Sequence, residues 1–572
     1  MATQRPSQAA HTPVTVFRGG RVFTADAART WADAVAVEGG RIVAVGGEEA
    51  VAPYLGRADD VVDLAGRLLL PGFTDSHVHP VVGGLERGRC DLTADRTASA
   101  YLERIAAYAR LHPGREWILG GGWALEAFPG GRPARQALDA VVAERPVYLP
   151  NRDHHSAWLN TAALRRAGID AGTADPADGR IERDADGEPT GLLHEGAMDL
   201  VVPVLPADTQ QEYDEGLREA LRYLHSLGIV GWQDAIVRAD GAPGSPSWHA
   251  SYLRAQREGW LTARVSGALW WDRSTRLEQV AGRVAELRAV RREVEAAAAD
   301  GGGSGQRYRV HSVKVMQDGV IETFTASLLD PYLDRCGHPT DNHGLSFLDP
   351  DLLSQVTVAL DAAGFDVHFH ALGDRAVRDA LDAIEAARAR NGRTGGRHHL
   401  AHLELVQPGD VPRFRRLGVA ANLQPLWACH EPQMDELTIP FLGAQRAARL
   451  YPFADLHRDG ATIVMGSDWP VTSADPLAGI HVAVNRAGHE APPGTPPLAA
   501  GQALPLPVAL AAYTAGSAWI NHVEHLAGTI RTGMRADLVV LDRDPFEGPV
   551  EELAHTRVDR TYVDGELVHR SG

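Results

Sequence analysis

Two histidines at the end of the run PGFTDSHVH, residues 71–79, have the spacing of metal ligands. Side chains at positions i and i+2 of a strand point to the same face, so His77 and His79 would aim two imidazoles at one point. Neutral imidazole is a common ligand for zinc and similar ions. Because a hydrogen-bonded core histidine would explain either residue by itself, the pair needs support from other parts of the chain.

Three further residues at predicted strand ends give that support. His370 ends the run VHFH, His402 follows RHHLA, and Asp468 follows TIVMGS. His402 comes 32 residues after His370 and Asp468 comes 66 residues after His402, whereas one βα unit takes about 30 residues. The spacing therefore puts His402 one strand beyond His370, and Asp468 two strands further round a barrel whose strand ends converge on one site. Together the residues predict a divalent-metal centre.

Lys314 is the one lysine among 56 basic residues. Codon bias that left one lysine behind is the simplest explanation. Lysine differs from arginine, however, in that its amine readily loses a proton and can react. Within the strand-like run VHSVKVM, Lys314 is either a buried lysine paired with a carboxylate or a lysine carbamylated by carbon dioxide, which would bind metals as a carboxylate does. We favour the carbamate.

The elements that must position these residues alternate between short apolar runs and amphipathic helices such as 376–390, which is typical of βα units. This pattern predicts an α/β fold, a (β/α)8 TIM barrel over residues 73–525 with insertions within roughly 81–306. Gly301–Gly305 is predicted to be a flexible loop. Both chain ends are β-rich and neither end has enough strands for a stable sheet, so residues 14–72 and 526–570 are expected to form one small β-sandwich.

Composition excludes several classes of partner. The net charge of −18 opposes nucleic-acid binding, because phosphate recognition needs a concentrated basic surface. No run of about 18 apolar residues predicts a membrane span, and the polar first residues contain no apolar segment of a secretory signal. The three cysteines, Cys90, Cys336 and Cys429, are far apart and fit a reducing compartment. We therefore expect a cytoplasmic protein with a small-molecule substrate.

Several segments resemble the amidohydrolase superfamily, and within it the family-three amidohydrolases that include N-substituted formamide deformylases. The resemblance covers nearly the whole chain. Its segments are PGFTDSHVH, DHHSAWLN (153–160), GEPTGLLHE (187–195), Val313-Lys314 with Asp318-Gly319, HALGDRAV (370–377), Gln424-Pro425, GSDWPV (466–471), and GTI (528–530) through GMRADLVVLD (533–542). The chain departs from the family at Gly120–Trp123, where a more polar loop is expected.

The resemblance implies that His77 and His79 bind one metal and that His370 and His402 bind a second, with a carbamylated Lys314 between them. Asp468 would touch the metal and act as the general base. One or two divalent ions are expected, with zinc favoured and iron, manganese or cobalt compatible with the same ligands. A homodimer is expected from the resemblance alone.

The predicted reaction is hydrolysis of an amide-type C–N bond. Metal-activated hydroxide would attack a carbonyl whose oxygen is polarised by the metal or by His155, while Asp468 carries the proton. Further candidates for substrate binding are Trp123, Glu195, Gln424, Trp427 and Trp469, although core packing explains each tryptophan equally well. A deaminase or cyclic amidase of the same superfamily would keep the same ligands. A catalytically silent metal-binding scaffold is the alternative from another class.

Overall fold

The computed structural model describes residues 11–239, 245–300, 306–492 and 494–572. The predicted loop Gly301–Gly305 lies outside the described residues. Eight parallel strands form one sheet in sequence order around a barrel. Barrel strands 1 to 8 are Phe73–Val78, Ile229–Val237, Arg264–Trp270, Tyr308–Met316, Asp366–Ala371, His399–His402, Ala420–Leu423 and Thr462–Met465.

The barrel strands are buried on both faces, which explains their runs of Val, Ile, Leu and Ala. Neighbouring strands pair in parallel; for example, Lys314 of strand 4 lies opposite His368 of strand 5. Strand 8 returns to strand 1, and the amide of Asp468 donates to the carbonyl of His77 across that junction at 2.7 Å. The predicted TIM barrel is confirmed.

Helices surround the barrel and connect its strands. The helix Gln210–Ser226 begins at a capping box in which Thr209 and Glu212 satisfy each other's backbone amides. The predicted helix 376–390 is observed as Asp374–Asn391. The α-helices from residue 80 onward that lie outside the inserted unit are Pro80–Arg87, Gln210–Ser226, Trp248–Arg257, Val280–Asp300, Pro350–Ala362, Asp374–Asn391, Val411–Leu417, Ile439–Leu442, Ala444–Ala447, Phe453–Arg458, Pro476–Asn485, Leu506–Ala511 and Ser517–Ile520.

Two sheets next to the barrel are built from the chain ends. The first contains Val14–Arg18, Ala34–Glu38, Arg41–Gly46 and Asp60–Asp63 and packs on the helix Glu48–Leu55. The second combines both ends, in the order Glu566–Arg570, Val558–Val563, Leu538–Leu541, Leu68–Pro71, Arg21–Phe23 and Trp31–Ala32. Its central pairing joins Leu538–Leu541 to Leu68–Pro71 in antiparallel register, so neither end completes this sheet without the other.

A further six-stranded sheet is inserted between barrel strands 1 and 2. Its strands are Cys90–Asp91, Ile118–Gly121, Val147–Pro150, Ser156–Leu159, Gly179–Arg183 and Pro189–Glu195, and its helices are Ala98–Leu111, Arg135–Asp139 and Thr161–Ala167. We call residues 90–205 the inserted unit. Its apolar residues form two clusters separate from the barrel core. The inserted unit lies within the stretch 81–306, whose later part contains barrel strands 2 and 3.

No helix within the described ranges is long and apolar enough to cross a membrane.

A buried ion pair joins the foot of the barrel to the sheet from the chain ends. Arg264, at the start of barrel strand 3, contacts Asp537 through Nε at 2.6 Å and Asp564 through Nη2 at 2.6 Å. Removing one partner of a buried pair costs about 3–5 kcal/mol because the other charge stays buried. We therefore expect Arg264→Met to lower the midpoint of urea unfolding strongly. The exposed Arg110→Met is the control, and equal midpoints for the two variants would contradict this assignment.

Candidate metal centre and active-site cavity

The predicted ligands converge at the carboxyl end of the barrel. His77 and Lys314 lie on strands 1 and 4, His370 on strand 5 and His402 at the end of strand 6, while His79 and Asp468 follow strands 1 and 8. The strand assignments of His370, His402 and Asp468 agree with the prediction from their spacing. All six residues line one cavity.

Asp468 lies at the centre of this group. Its Oδ1 is 3.1 Å from His79 Nε2 and 3.2 Å from His77 Nε2, and its Oδ2 is 3.9 Å from His402 Nδ1. Burial raises the pKa of the Asp468 carboxyl, but the imidazoles of His77 and His79 outweigh that effect and hold the pKa well below its usual range. The carboxylate is therefore ionised and able to accept a proton or bind a cation.

The donor set fits a divalent metal. One ligand atom each from His77, His402 and Asp468 lie within 4.8 Å of one another, and all three residues are buried. Both ring nitrogens of His402 are buried without a hydrogen-bond partner, which is costly unless another group satisfies them. The His370 ring is 4.4 Å from the His402 ring, centroid to centroid. A metal ion would satisfy one of these two orphaned nitrogens.

Lys314 is buried beside this donor set without a carboxylate partner. Its Nζ lies 3.2 Å from His77 Nε2, and no carboxylate among the described residues lies within ion-pair distance of it. Burial lowers the pKa of the Lys314 amine to about 7. The arrangement differs from the paired buried lysine that was one of the two sequence-based interpretations.

Residues around the ligands hold them in position. His368 Nε2 lies 2.9 Å from His77 Nδ1, so the two rings fix each other's orientation. The buried Asp75 accepts hydrogen bonds from the amide of His77 and from the amide and hydroxyl of Ser467. These hydrogen bonds connect strand 1 to the loop that carries Asp468, the candidate general base. Gln424 accepts from the His402 amide at 2.7 Å. Gln424 therefore positions the backbone of His402. It is absent from the described lining of the cavity.

The cavity above the ligands has a volume of about 950 Å³, and the inserted unit forms much of its wall. Two predicted residues, His155 and Glu195, meet there, with His155 Nδ1 2.8 Å from Glu195 Oε1. Burial alone would lower the pKa of His155, but the Glu195 carboxylate raises it to about 9. The His155 ring lies 5.3 Å from the His370 ring, so a cationic donor faces the metal ligands.

The predicted tryptophans divide between cavity and core. Trp427 lines the cavity and stacks on His402, with ring centroids 5.4 Å apart. Trp123 is fully buried in the core of the inserted unit against Phe128, where its Nε1 donates to the Leu149 carbonyl. Its side chain is therefore satisfied within that core, and Trp123 is absent from the described lining of the cavity.

Trp469 likewise packs outside the described cavity lining, against Tyr223. The neighbouring residues Pro470 and Val471 line the cavity in its place.

Several cavity residues were not identified from the sequence. Five of them, from strands, loops and the start of a helix, are joined by no local pattern: Tyr148, Arg238, Trp248, Trp270 and Arg273. The acidic residues of the wall that were not predicted as site residues are Asp153, Asp178, Asp199 and Asp272. The pairing of Arg273 Nε with Asp178 Oδ2 at 3.3 Å spans more than ninety residues of sequence, which explains why only the fold reveals it.

Comparison with known proteins identifies the family of the chain. The Amidohydrolase family matches residues 60–569. The putative amidohydrolase YtcJ of Bacillus subtilis is 30% identical over 559 residues, which cover 97% of this chain and 99% of the relative. The N-substituted formamide deformylase of Arthrobacter pascens is 29% identical over 558 residues, 96% of each chain.

Among solved structures, a metal-dependent hydrolase of Pyrococcus horikoshii has a TM-score of 0.70 at 24% identity, covering 94% of this chain and 99% of its own. That likeness supports the fold, and the family match extends over most of the sequence. The chain therefore belongs to the amidohydrolase family and is a hydrolase that acts on carbon–nitrogen bonds.

Proposed function

We propose that this protein hydrolyses N-substituted amides, with N-substituted formamides as the first class to test, and that Asp468 is the general base. One observation carries the proposal. A ligand atom from each of His77, His402 and Asp468 lies within 4.8 Å of the other two, and all three residues line a large cavity. The resemblance of the chain to a formamide deformylase supports the choice of substrate class.

His77, His79, His370 and His402 would hold one or two divalent ions with Asp468, and a carbamylated Lys314 would add carboxylate-like oxygens. Zinc is the proposed ion because neutral imidazole and carboxylate suit it. When bound, such an ion lowers the pKa of water to near 7 and so supplies a nucleophile at neutral pH.

The side chains of the cavity provide the proton transfers. Asp468 accepts the proton of the attacking water and returns it to the leaving nitrogen, a role that requires the ionised carboxylate described above. His155, held protonated by Glu195, donates a hydrogen bond to the carbonyl oxygen as negative charge develops on it. The C–N bond breaks as the nitrogen is protonated, which releases a carboxylic acid and an amine.

The shape and lining of the cavity support an apolar or aromatic N-substituent. Its volume of about 950 Å³ leaves room for a group much larger than a formyl. Tyr148, Met198, Trp248 and Trp270 supply an aromatic and apolar part of the wall beside its charged residues, while Trp427 lies beside His402. Apolar walls with a few polar groups at the reacting end are typical of small-molecule sites.

A product-resolved assay tests the proposal. The metal-loaded protein is incubated with N-alkyl and N-aryl formamides and acetamides, with cyclic amides, and with exocyclic amines of heteroaromatic rings. Formate or acetate together with the free amine is the expected outcome, and Asp468→Asn protein is the blank. Ammonia release would identify a deaminase, ring opening would identify a cyclic amidase, and either one without acyclic amide cleavage would overturn the proposal.

The pair formed by His155 and Glu195 gives a separate prediction. Glu195→Gln preserves shape but removes the carboxylate that keeps His155 charged, so we expect kcat to fall about 10- to 100-fold with little change in KM. Metal content should stay at the wild-type value.

The matched control is Glu182→Gln, which alters a buried carboxylate of the same inserted unit that pairs with Arg132 and is absent from the described cavity lining. Steady-state kinetics and elemental analysis make the comparison. A Glu195→Gln enzyme with unchanged kcat, or one whose loss equals that of Glu182→Gln, would remove His155 from the mechanism.

A further inference from the structure

A second group of potential metal ligands lies at the opposite end of the barrel. His311 is on barrel strand 4, Asp366 begins strand 5, and His522 lies just after the helix Ser517–Ile520. His311 precedes Lys314 by three residues, about 10 Å along an extended strand. The group is therefore distinct from the cavity in which Lys314 lies, and the proposed hydrolysis makes no use of it.

The geometry of this group approaches that of a metal site. One ligand atom from each residue lies within 4.8 Å of the others. His522 Nε2 is 2.6 Å from Asp366 Oδ2, and the His311 and His522 rings are 4.4 Å apart, centroid to centroid. Ligand atoms of a tetrahedral zinc site lie about 3.4 Å apart, given bonds of about 2.1 Å. Small side-chain rotations would thus bring all three into coordination.

The hydrogen bonds of the group leave His311 available as a ligand. Its ring has one hydrogen-bond partner among the described residues, the Ser266 hydroxyl, at 3.0 Å from Nε2. The Asp366 carboxylate supplies the negative charge of the group and contacts His522 through Oδ2. The positive φ of 56° at His522 is a conformation that a residue with a Cβ rarely adopts.

The surrounding charges permit a cation. The backbone amide of Arg397 donates a hydrogen bond to Asp366 Oδ1. The Arg397 guanidinium forms an ion pair with Glu524, in which Nη2 lies 2.6 Å from Oε1. Arg309 is near enough to disfavour a positive charge on His311. The same charge would also repel a bound cation, and the Asp366 carboxylate is the group that offsets it.

We propose that His311, Asp366 and His522 form a structural site for a zinc-type divalent ion, with water as the fourth ligand. An ion there would link barrel strands 4 and 5 to the segment that follows Ser517–Ile520. That segment leads into the sheet built from both chain ends. A simple ion pair between His522 and Asp366 is the competing explanation, in which His311 only forms its hydrogen bond with Ser266.

The test counts zinc in the full-length chain after chelation and equilibrium dialysis against Zn²⁺. It is run on chains that carry His402→Ala and Asp468→Ala, so that the catalytic centre is weakened in every sample. To that background are added His311→Ala, His522→Gln or, as control, the exposed His489→Ala. Circular dichroism checks the fold of each sample, and thermal unfolding is followed with and without Zn²⁺.

We expect one equivalent of zinc fewer with His311→Ala and with His522→Gln than with His489→Ala. Zinc should raise the Tm of the control by about 5 °C and leave the two cluster variants unchanged. Equal zinc content in all three folded proteins would overturn the proposal and leave the ion pair as the explanation. The His522 side chain is about one-third exposed, so the His522→Gln protein should fold even if the His311→Ala protein does not.

Discussion

Asp468→Asn is expected to lower kcat about 10³-fold while the protein keeps most of its bound metal and its fold. Asparagine preserves the size of the side chain and one oxygen, so contacts near His77 and His79 survive. The amide cannot accept the proton of the attacking water, because its nitrogen lone pair is delocalised. The loss should therefore appear in the chemical step and spare KM.

Steady-state kinetics on an acyclic amide, with metal analysis of the same preparation, provide the measurement. Asp475→Asn is the matched control, since Asp475 is a nearby aspartate whose side chain caps the helix Pro476–Asn485 away from the ligands. That variant should keep its fold, because asparagine caps a helix about as well as aspartate does, and it should retain kcat. If the Asp468→Asn enzyme keeps a kcat near the wild-type value with full metal content, another residue must be the general base.

The barrel and its ligand end were predictable because their signals are local or periodic. The i and i+2 spacing of His77 and His79, and the intervals that separate His370, His402 and Asp468, follow directly from strand geometry and the length of a βα unit. Each predicted ligand lies near or just after the carboxyl end of a strand, and the strands of the barrel follow the order of the sequence.

The substrate wall could not be predicted in the same way. It depends on how the inserted unit folds over the barrel, and pairs such as Arg273 with Asp178 form only in the tertiary structure. The tryptophans show the same limit. An indole looks alike in sequence whether it packs in a core, as Trp123 does, or lies beside a ligand, as Trp427 does.

Lys314→Ala is expected to reduce bound metal from about two equivalents to one or none and to lower kcat on the order of 10³-fold. The reason is the position of the amine, which is buried next to His77 with no carboxylate in ion-pair range among the described residues. A carbamate there would supply ligand oxygens that alanine cannot replace. Lys314→Arg should be equally impaired, because guanidinium forms no carbamate at ordinary pH.

The single lysine makes the carbamate directly observable. Protein equilibrated with ¹³C-bicarbonate should show one carbamate resonance from a side chain. The Lys314→Arg substitution should remove that resonance and leave any signal from the terminal amine of the chain unchanged. Added acetate or propionate should restore part of the activity and metal of Lys314→Ala by filling the vacated space with a carboxylate. A wild-type enzyme with full metal content and no carbamate signal would show that the neutral amine is sufficient. Lys314 would then act as a hydrogen-bond partner of His77, and the centre would hold its metal through imidazole and Asp468 alone.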